Sequence, residues 1–224
     1  MTPVEPQAEI GASAETDVLL HWGDVVTDAA SAGRGLSHRV QDLIRGVPGV
    51  ATVCDLGCGS GYLASRLGAA GYRVVGVDAS ARLLAVANEH YGSDRVRFQR
   101  GLLGPATVEA LRAEGLFDLV VSVDVIEHLY RPASLIETAD AILKPGGMLV
   151  IGTPYHGYLK NLAIAALDRW DEHHSVHFDG GHIKFFSVAS LNRMVATRFD
   201  VQLYERSEEH TSELQSRFGI SYAV

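Results

Sequence analysis

The chain is poor in the features that would place it outside ordinary soluble enzymes. It has only two cysteines, Cys54 and Cys58, in 224 residues, too few for a disulfide framework. Both fall in one glycine-rich segment, where a bridge would distort a tight turn, so they read as reduced thiols behaving as small hydrophobes. No stretch approaches 18 consecutive apolar residues, which excludes a membrane-spanning helix from the expectation. Met1-Thr2-Pro3-Val4-Glu5 lacks the basic and apolar segments of a signal peptide. There is no basic run, and the formal charge is −8. That argues against a large nucleic-acid surface, though a small RNA end remains an acceptable substrate. Together these absences point to the cytoplasm.

What is present is a repeating alternation. The length suits one α/β domain with a sizeable core. Ala51–Leu56, Arg73–Val77, Val96–Gln99, Phe117–Val123 and Met148–Thr153 are short apolar runs that read as five strands. Helical spacing lies between several of them. Leu63 and Leu67 mark one helix, and Leu83, Leu84, Ala87 and Tyr91 a second, with Ser80 as its cap. A third carries Leu135, Ile136, Ala139 and Ile142, and Pro145-Gly146-Gly147 stops it. Continuously apolar strands alternating with helices predict a doubly wound, mostly parallel sheet covered on both faces. A last helix (Val188–Ala196) and a sixth strand (Phe199–Glu205) follow.

The chemistry gathers first at Asp55-Leu56-Gly57-Cys58-Gly59-Ser60-Gly61. A strand feeds straight into Gly57-x-Gly59-x-Gly61, and a helix follows. Glycines there let the backbone turn tightly and approach a ligand without a Cβ in the way. A dinucleotide fingerprint would need a small residue at position 62, which is Tyr62, and it leaves Asp55 unexplained. A carboxylate at the strand end suits an ammonium group rather than a pyrophosphate. The second strand ends in Asp78, about 20 residues on, where a carboxylate can accept hydrogen bonds from two ribose hydroxyls. An ammonium group together with a ribose describes S-adenosylmethionine (SAM).

These segments resemble the class I SAM-dependent methyltransferases over roughly residues 36 to 205. Asp55 to Gly61 is similar to their first motif, and Val74-Val-Gly-Val-Asp78-Ala-Ser to their ribose motif. Phe117 to His128 is similar to the fourth-strand motif and Leu143 to Pro154 to the fifth. Within the class the chain is most similar to the ubiquinone-biosynthesis O-methyltransferases. The resemblance implies a Rossmann-like fold and SAM as cofactor. It implies that Asp55, Gly57, Cys58, Gly59, Gly61, Asp78, Ala79, Leu102, Val123 and Asp124 bind it. The class often has an acidic residue after the third strand to meet the adenine. This chain has Gly101-Leu102-Leu103-Gly104, which leaves that contact to backbone.

Transfer from a sulfonium needs positioning above all, and a hydroxyl acceptor also gains from a base or a metal. The resemblance implies that Asp124-x-x-Glu127-His128 can hold a divalent cation. Asp124 is shorter than the acid usual there, and relatives with Glu-His work without metal. Glu127 as a helix cap with His128 packed beneath the loop is the plainer expectation, so no metal ligand is assigned. Five histidines (His156, His173, His174, His177 and His182) fall in residues 154–187, which follow the fifth strand where open α/β sheets bind ligands. His156, His128 and His182 are the catalytic candidates, since imidazole can take a proton near neutral pH. His173, His174 and His177 read as a solvated loop. Tyr155, Tyr158, Trp170, Phe178, Phe185 and Phe186 either wall an aromatic acceptor site or belong to the core.

The expected organisation is a disordered tail (1–15), helices covering the cofactor site (16–50) and a SAM-binding domain (51–205) with the substrate insertion 154–187. Residues 206–216 are similar to one reading frame of a common sequencing-library adapter, and Ile220–Val224 to a later part of it. Residues 206–224 are therefore expected to be foreign to the gene, and the sheet to lack its usual seventh strand. The expected partner is a small-molecule acceptor, phenolic or quinone-like. The alternatives are a metal-dependent RNA 2′-O-methyltransferase and a non-catalytic SAM-binding domain.

Overall fold

The structure is a computed structural model that describes residues 34–45, 47–154, 156, 158–174, 181–208 and 216–223. The expectations for 1–33, Tyr155, His177 and Phe178 lie outside these residues, as do side-chain statements about His173.

The described chain begins with helix α1 (Arg34–Arg45) and runs through β1 (Thr52–Leu56), α2 (Tyr62–Ala69), β2 (Arg73–Asp78) and α3 (Ala81–Tyr91). It continues with β3 (Val96–Arg100), α4 (Pro105–Ala113), β4 (Phe117–Val123), a 3-10 turn (Ile126–His128), α5 (Ala133–Ile142) and β5 (Leu143–Pro154). The remaining elements are α6 (Tyr158–Ala166), α7 (Trp170–His174), α8 (Val188–Val195), β6 (Asp200–Glu208) and β7 (Ser216–Ala223). The strands form one sheet in the order β3-β2-β1-β4-β5-β7-β6. β1 to β5 are parallel to one another, and β7 is antiparallel to both β5 and β6.

Period-two alternation divides the apolar residues between two cores, one on each face. Val53, Val74, Leu119, Val121 and Val150 pack with Val40 and Ile44 of α1 and Leu63 and Leu67 of α2. Cys54, Val75, Val120, Leu149 and Ile151 pack with Leu111 of α4, Ile136 and Ile142 of α5 and Leu191 of α8. Burial of both faces explains why the strands read as unbroken apolar runs. The caps are local. Ser80 Oγ accepts the Leu83 N–H at the start of α3, and Ser187 and Ser190 form a capping box on α8.

The structure departs from expectation at three places. Helix α4 lies where no element was expected, and only Thr107 and Leu111 of it are buried. β5 begins at Leu143 rather than Met148, so the helix before it ends at once and Pro145-Gly146-Gly147 falls within the strand segment. The third place is the seventh strand, where residues expected to be foreign to the gene occupy the position expected to be empty. Ser216–Ala223 forms β7, inserted between β5 and β6. Its sequence alternates Phe218, Ile220 and Tyr222, a period-two pattern that suits an antiparallel strand, and β5 offers an unsatisfied edge to it.

At the far end of the sheet from the glycine loop, Asp118 ties three elements together. One carboxylate oxygen accepts the Ala51 and Thr52 amides at 3.0 and 2.9 Å and the Thr52 hydroxyl at 2.8 Å, and the other meets Lys144 Nζ at 2.6 Å. Burial works against this charge, but Lys144 and the donors of Ala51 and Thr52 outweigh it and hold the carboxyl well below the usual carboxylate range. Its contribution is present above about pH 4, the unfolded value, and is lost as pH falls toward the native one. Asp118→Asn is expected to lower stability by about 2 kcal/mol at neutral pH. Thermal melts should show the gap from wild type closing as pH is lowered through 4.

Candidate functional site

The site is built at the carboxyl ends of β1, β2, β4 and β5. The β1–α2 turn is stitched to β2 by the Gly57 and Cys58 amides, which both donate to Val77 O, at 2.7 and 3.0 Å. Asp78 completes the seam. One of its oxygens accepts the Gly59 N–H at 2.8 Å and the other the Ser80 N–H at 2.8 Å. Each carboxylate oxygen has capacity for a second donor, so two ribose hydroxyls can still be received. Burial raises the Asp78 pKa, while the amides of Ser80, Gly59 and Ala79 counter it.

The glycines divide the work. Gly57 and Gly61 have φ of 79° and 82°, and a Cβ on either would overlap neighbouring side chains, Val125 for Gly57 and Phe98 with Ala87 for Gly61. Gly59, at φ 53°, faces open space with nothing within 4 Å of a built Cβ. The first two are glycines for packing, while Gly59 leaves bare backbone where a ligand can approach.

Asp55 sits beneath this turn and is only 2 % exposed. The Ala64 amide donates to its carboxylate, and Oδ2 has no hydrogen-bond partner. Burial, then the nearby Asp78, raises its pKa to about 7. A buried carboxylate oxygen without a donor is costly, and a cationic group would relieve it. Open backbone at Gly59, spare acceptor capacity on Asp78 and an unsatisfied acceptor on Asp55 together fit the amino acid and ribose portions of SAM. Cys54 and Cys58 are free thiols, and burial pushes both well above the ordinary thiol value. That makes them poor nucleophiles.

The other cofactor candidates fall around this turn. Ala79 O accepts from Arg100 Nε at 3.0 Å, and Leu102, 42 % exposed, has its carbonyl bonded by the Thr107 hydroxyl. Val123 and Asp124 close β4. Asp124 stands in the left-handed region at φ 55°, with its amide donating to Gly152 O at 2.8 Å. A non-glycine residue there is strained and persists only where its surroundings enforce it.

Beyond β4, Glu127 is the centre of a second constellation. Its carboxylate is 1 % exposed, and Oε2 accepts the Thr153 hydroxyl at 2.9 Å. Its main-chain oxygen accepts the Ile183 and Lys184 amides at 3.0 and 2.9 Å. His128 Nδ1 lies 3.2 Å from Gly181 O, its ring stands edge-on to His182 at 4.9 Å, and His182 Nε2 is 4.0 Å from Glu127 Oε1. Glu127, His128 and His182 thus each offer a ligand atom within 4.8 Å of the others. Asp124, which the resemblance would have put with Glu127 and His128, is replaced in this group by His182. Glu127 binds β5 through its carboxylate and the returning arm of the insertion through its main-chain oxygen. Thr153 and the His182 pairing were invisible in sequence because they join residues 26 to 55 positions apart.

His156 is buried, and its amide donates to Phe186 O at 2.9 Å. Its ring stacks on His174 at 5.6 Å, Phe185 stands edge-on to both at 4.8 Å, and Trp170 lies 4.3 Å from His174. His174, expected in a solvated loop, is instead half-buried in α7.

Residues 30–203 match the family model described as a methyltransferase domain. The ubiquinone biosynthesis O-methyltransferase of Caulobacter vibrioides is 37 % identical over 121 residues, covering 52 % of this chain and 45 % of that protein. The chain spans less than half the length of the curated relatives it matches. Among solved structures, a SAM-dependent methyltransferase from Anabaena variabilis superposes with a TM-score of 0.71 at 15 % identity, over 93 % of this chain and 94 % of that one. The 1,6-didemethyltoxoflavin N1-methyltransferase of Burkholderia thailandensis, with bound S-adenosylhomocysteine (SAH), gives 0.65 at 19 % identity, over 100 % and 92 %.

Gly57→Ala and Gly59→Ala separate packing from ligand approach. Gly57→Ala is expected to cost about 3 kcal/mol of stability, since it combines strain with overlap. Gly59→Ala should cost about 1 kcal/mol yet abolish SAH binding; calorimetry on both variants checks this. The open, buried-acid turn of β1 and β2 and the family match over most of the length agree, and the chain belongs to the SAM-dependent methyltransferases.

Proposed function

We propose that the protein transfers a methyl group from SAM to a hydroxyl of a small acceptor, phenolic or quinone-like in character. The curated relatives named as O-methyltransferases support the choice of oxygen, and the Glu127–His182 pair is the observation that carries it. When bound, SAM supplies a methyl group already activated by its sulfonium. Asp78 and Asp55 hold its ribose and ammonium, with Gly59 giving backbone access. His182 takes the acceptor proton, and the adjacent Glu127 carboxylate stabilises the imidazolium that forms. His182 suits this role better than His156 because its side chain is 38 % exposed, whereas His156 is enclosed by His174 and Phe185. His128 orients His182 edge-on. The cytoplasm, expected from the sequence, is the compartment of this reading.

The same three side chains suit a divalent cation by ligand type, with two imidazoles and one carboxylate. A chelator separates the two readings. With base catalysis, turnover of a catechol acceptor persists in EDTA, and His182→Ala loses about 10²- to 10⁴-fold in kcat with SAH affinity intact. Loss in EDTA, restored by Mg²⁺ or Mn²⁺, assigns the cation instead.

Cofactor binding has its own tests. Asp78→Ala should weaken SAH binding by about 1–3 kcal/mol. The ammonium prefers the ionised form of Asp55, whose carboxyl titrates at about 7 in the unliganded protein. Binding therefore expels a proton, and SAH affinity should rise between pH 6 and 8. In Asp55→Asn that rise should vanish; an unchanged profile would remove Asp55 from the ammonium site.

A further inference from the structure

The polar groups proposed for the cofactor follow the strand ends in order. Asp55, at the end of β1, is the seat proposed for the ammonium, and Asp78, at the end of β2, that for the ribose. A nucleoside continuing in that direction brings its base to the next strand end, the turn between β3 and α4. That turn is stitched to β2 as the glycine turn is, with the Gly101 amide donating to Asp78 O at 3.0 Å. Its residues, Gly101-Leu102-Leu103-Gly104-Pro105-Ala106-Thr107-Val108, carry no charge. Leu103 and Val108 pack against the core below. Thr107, the one polar side chain of the turn, is buried, and its hydroxyl donates to Leu102 O. The same hydroxyl fills the space beside Gly101, since a Cβ there would lie 2.6 Å from its oxygen. What reaches outward is the Leu102 side chain, 42 % exposed, and the bare backbone of Gly104, where a Cβ would meet nothing within 4 Å.

We propose that this turn recognises the adenine by its flat apolar surface and leaves the 6-amino group unread, so that the protein accepts cofactors altered at that group. Reading an amino group takes an acceptor turned toward it. Residues 101–108, all of them described, include no carboxylate or amide side chain to serve. The main-chain acceptors nearby are engaged within the protein, Leu102 O by the Thr107 hydroxyl and Ala79 O by Arg100 Nε at 3.0 Å. Recognition then falls to contact with Leu102 and the open backbone of Gly104, which a purine ring satisfies with or without its amino group. Magnitude separates the two modes. A site that hydrogen-bonds a polar group rejects an analogue lacking it by about 10⁴-fold or more, because its own buried partner is left unpaired. An apolar surface discriminates against so small a change by only about tenfold to a few hundredfold. This turn has no side-chain partner to leave unpaired, so the lower figure applies. The exposure of Leu102 also gives a substituent on the amino nitrogen a way out to solvent. The inference rests on Asp78 as the ribose site and is independent of which acceptor atom is methylated.

Calorimetry on the full chain tests it with SAH, the 6-deamino (purine) analogue of SAH and the N6-methyl analogue. Both analogues should bind within about tenfold of SAH. A loss of about a hundredfold or more with either overturns the proposal, since it would reveal a partner or a wall at the amino group. Leu102→Asp installs the missing acceptor. It should raise the preference for SAH over the deamino analogue about tenfold. An unchanged ratio, in a variant that melts at the wild-type temperature, would put the base elsewhere and overturn the proposal as well. Asp78→Ala should weaken SAH and the deamino analogue by the same factor. That result together with poor binding of the analogue by wild type condemns the base assignment alone. Undiminished SAH binding by Asp78→Ala removes the ribose from β2, and this inference with it.

Discussion

The Asp78 carboxylate is the constraint on which the site depends. Its two oxygens hold the Gly59 and Ser80 amides, so a single side chain fixes both the turn after β1 and the start of α3. The Val77 carbonyl adds a second seam through Gly57 and Cys58. A glycine-rich turn alone is soft, since glycine loses more backbone freedom on ordering than other residues. Pinned at both ends to β2, it becomes a fixed surface of bare amides. The same carboxylate raises the cost of ionising Asp55 beneath it. A cation placed beside Asp55 would favour its ionised form and make it a counter-ion.

Much of this was legible in the residues. Strands buried on both faces declare themselves as apolar runs, and β1 to β4 fall within a residue or two of their expected limits. Asp55, the glycines and Asp78 could be located because β1, its turn and β2 are consecutive, so spacing along the chain reports spacing in the molecule. The acceptor side was less legible for the converse reason. Glu127, Thr153 and His182 meet only because two strand ends and a returning arm converge, and no short pattern encodes that meeting. The resemblance supplied Glu127 and His128 but pointed to Asp124 as their partner, where the folded chain provides His182. Helix α4 escaped notice because it buries too little of its surface to print a stripe.

The two constellations differ in what holds them. The cofactor turn rests on backbone hydrogen bonds between adjacent strands and is rigid by construction. The acceptor side rests on Glu127, whose buried carboxylate meets Thr153 and lies beside His182 while its main-chain oxygen receives the amides of Ile183 and Lys184. His156, stacked on His174 and crossed by Phe185, ties the outgoing arm of the insertion to the returning one and shapes the wall rather than the reaction.

The position of β7 has a consequence for how the sheet comes apart. In the order β5-β7-β6, β6 has no parallel-sheet neighbour and meets the rest of the sheet only across the last strand to be made. The final two strands therefore form a hairpin hung from β5. Trimming or fraying of Ser216–Ala223 would release β6 with it and bare the β5 edge beside Thr153, the residue that steadies Glu127. The strand Ser216–Ala223 thereby backs the part of β5 that carries Thr153.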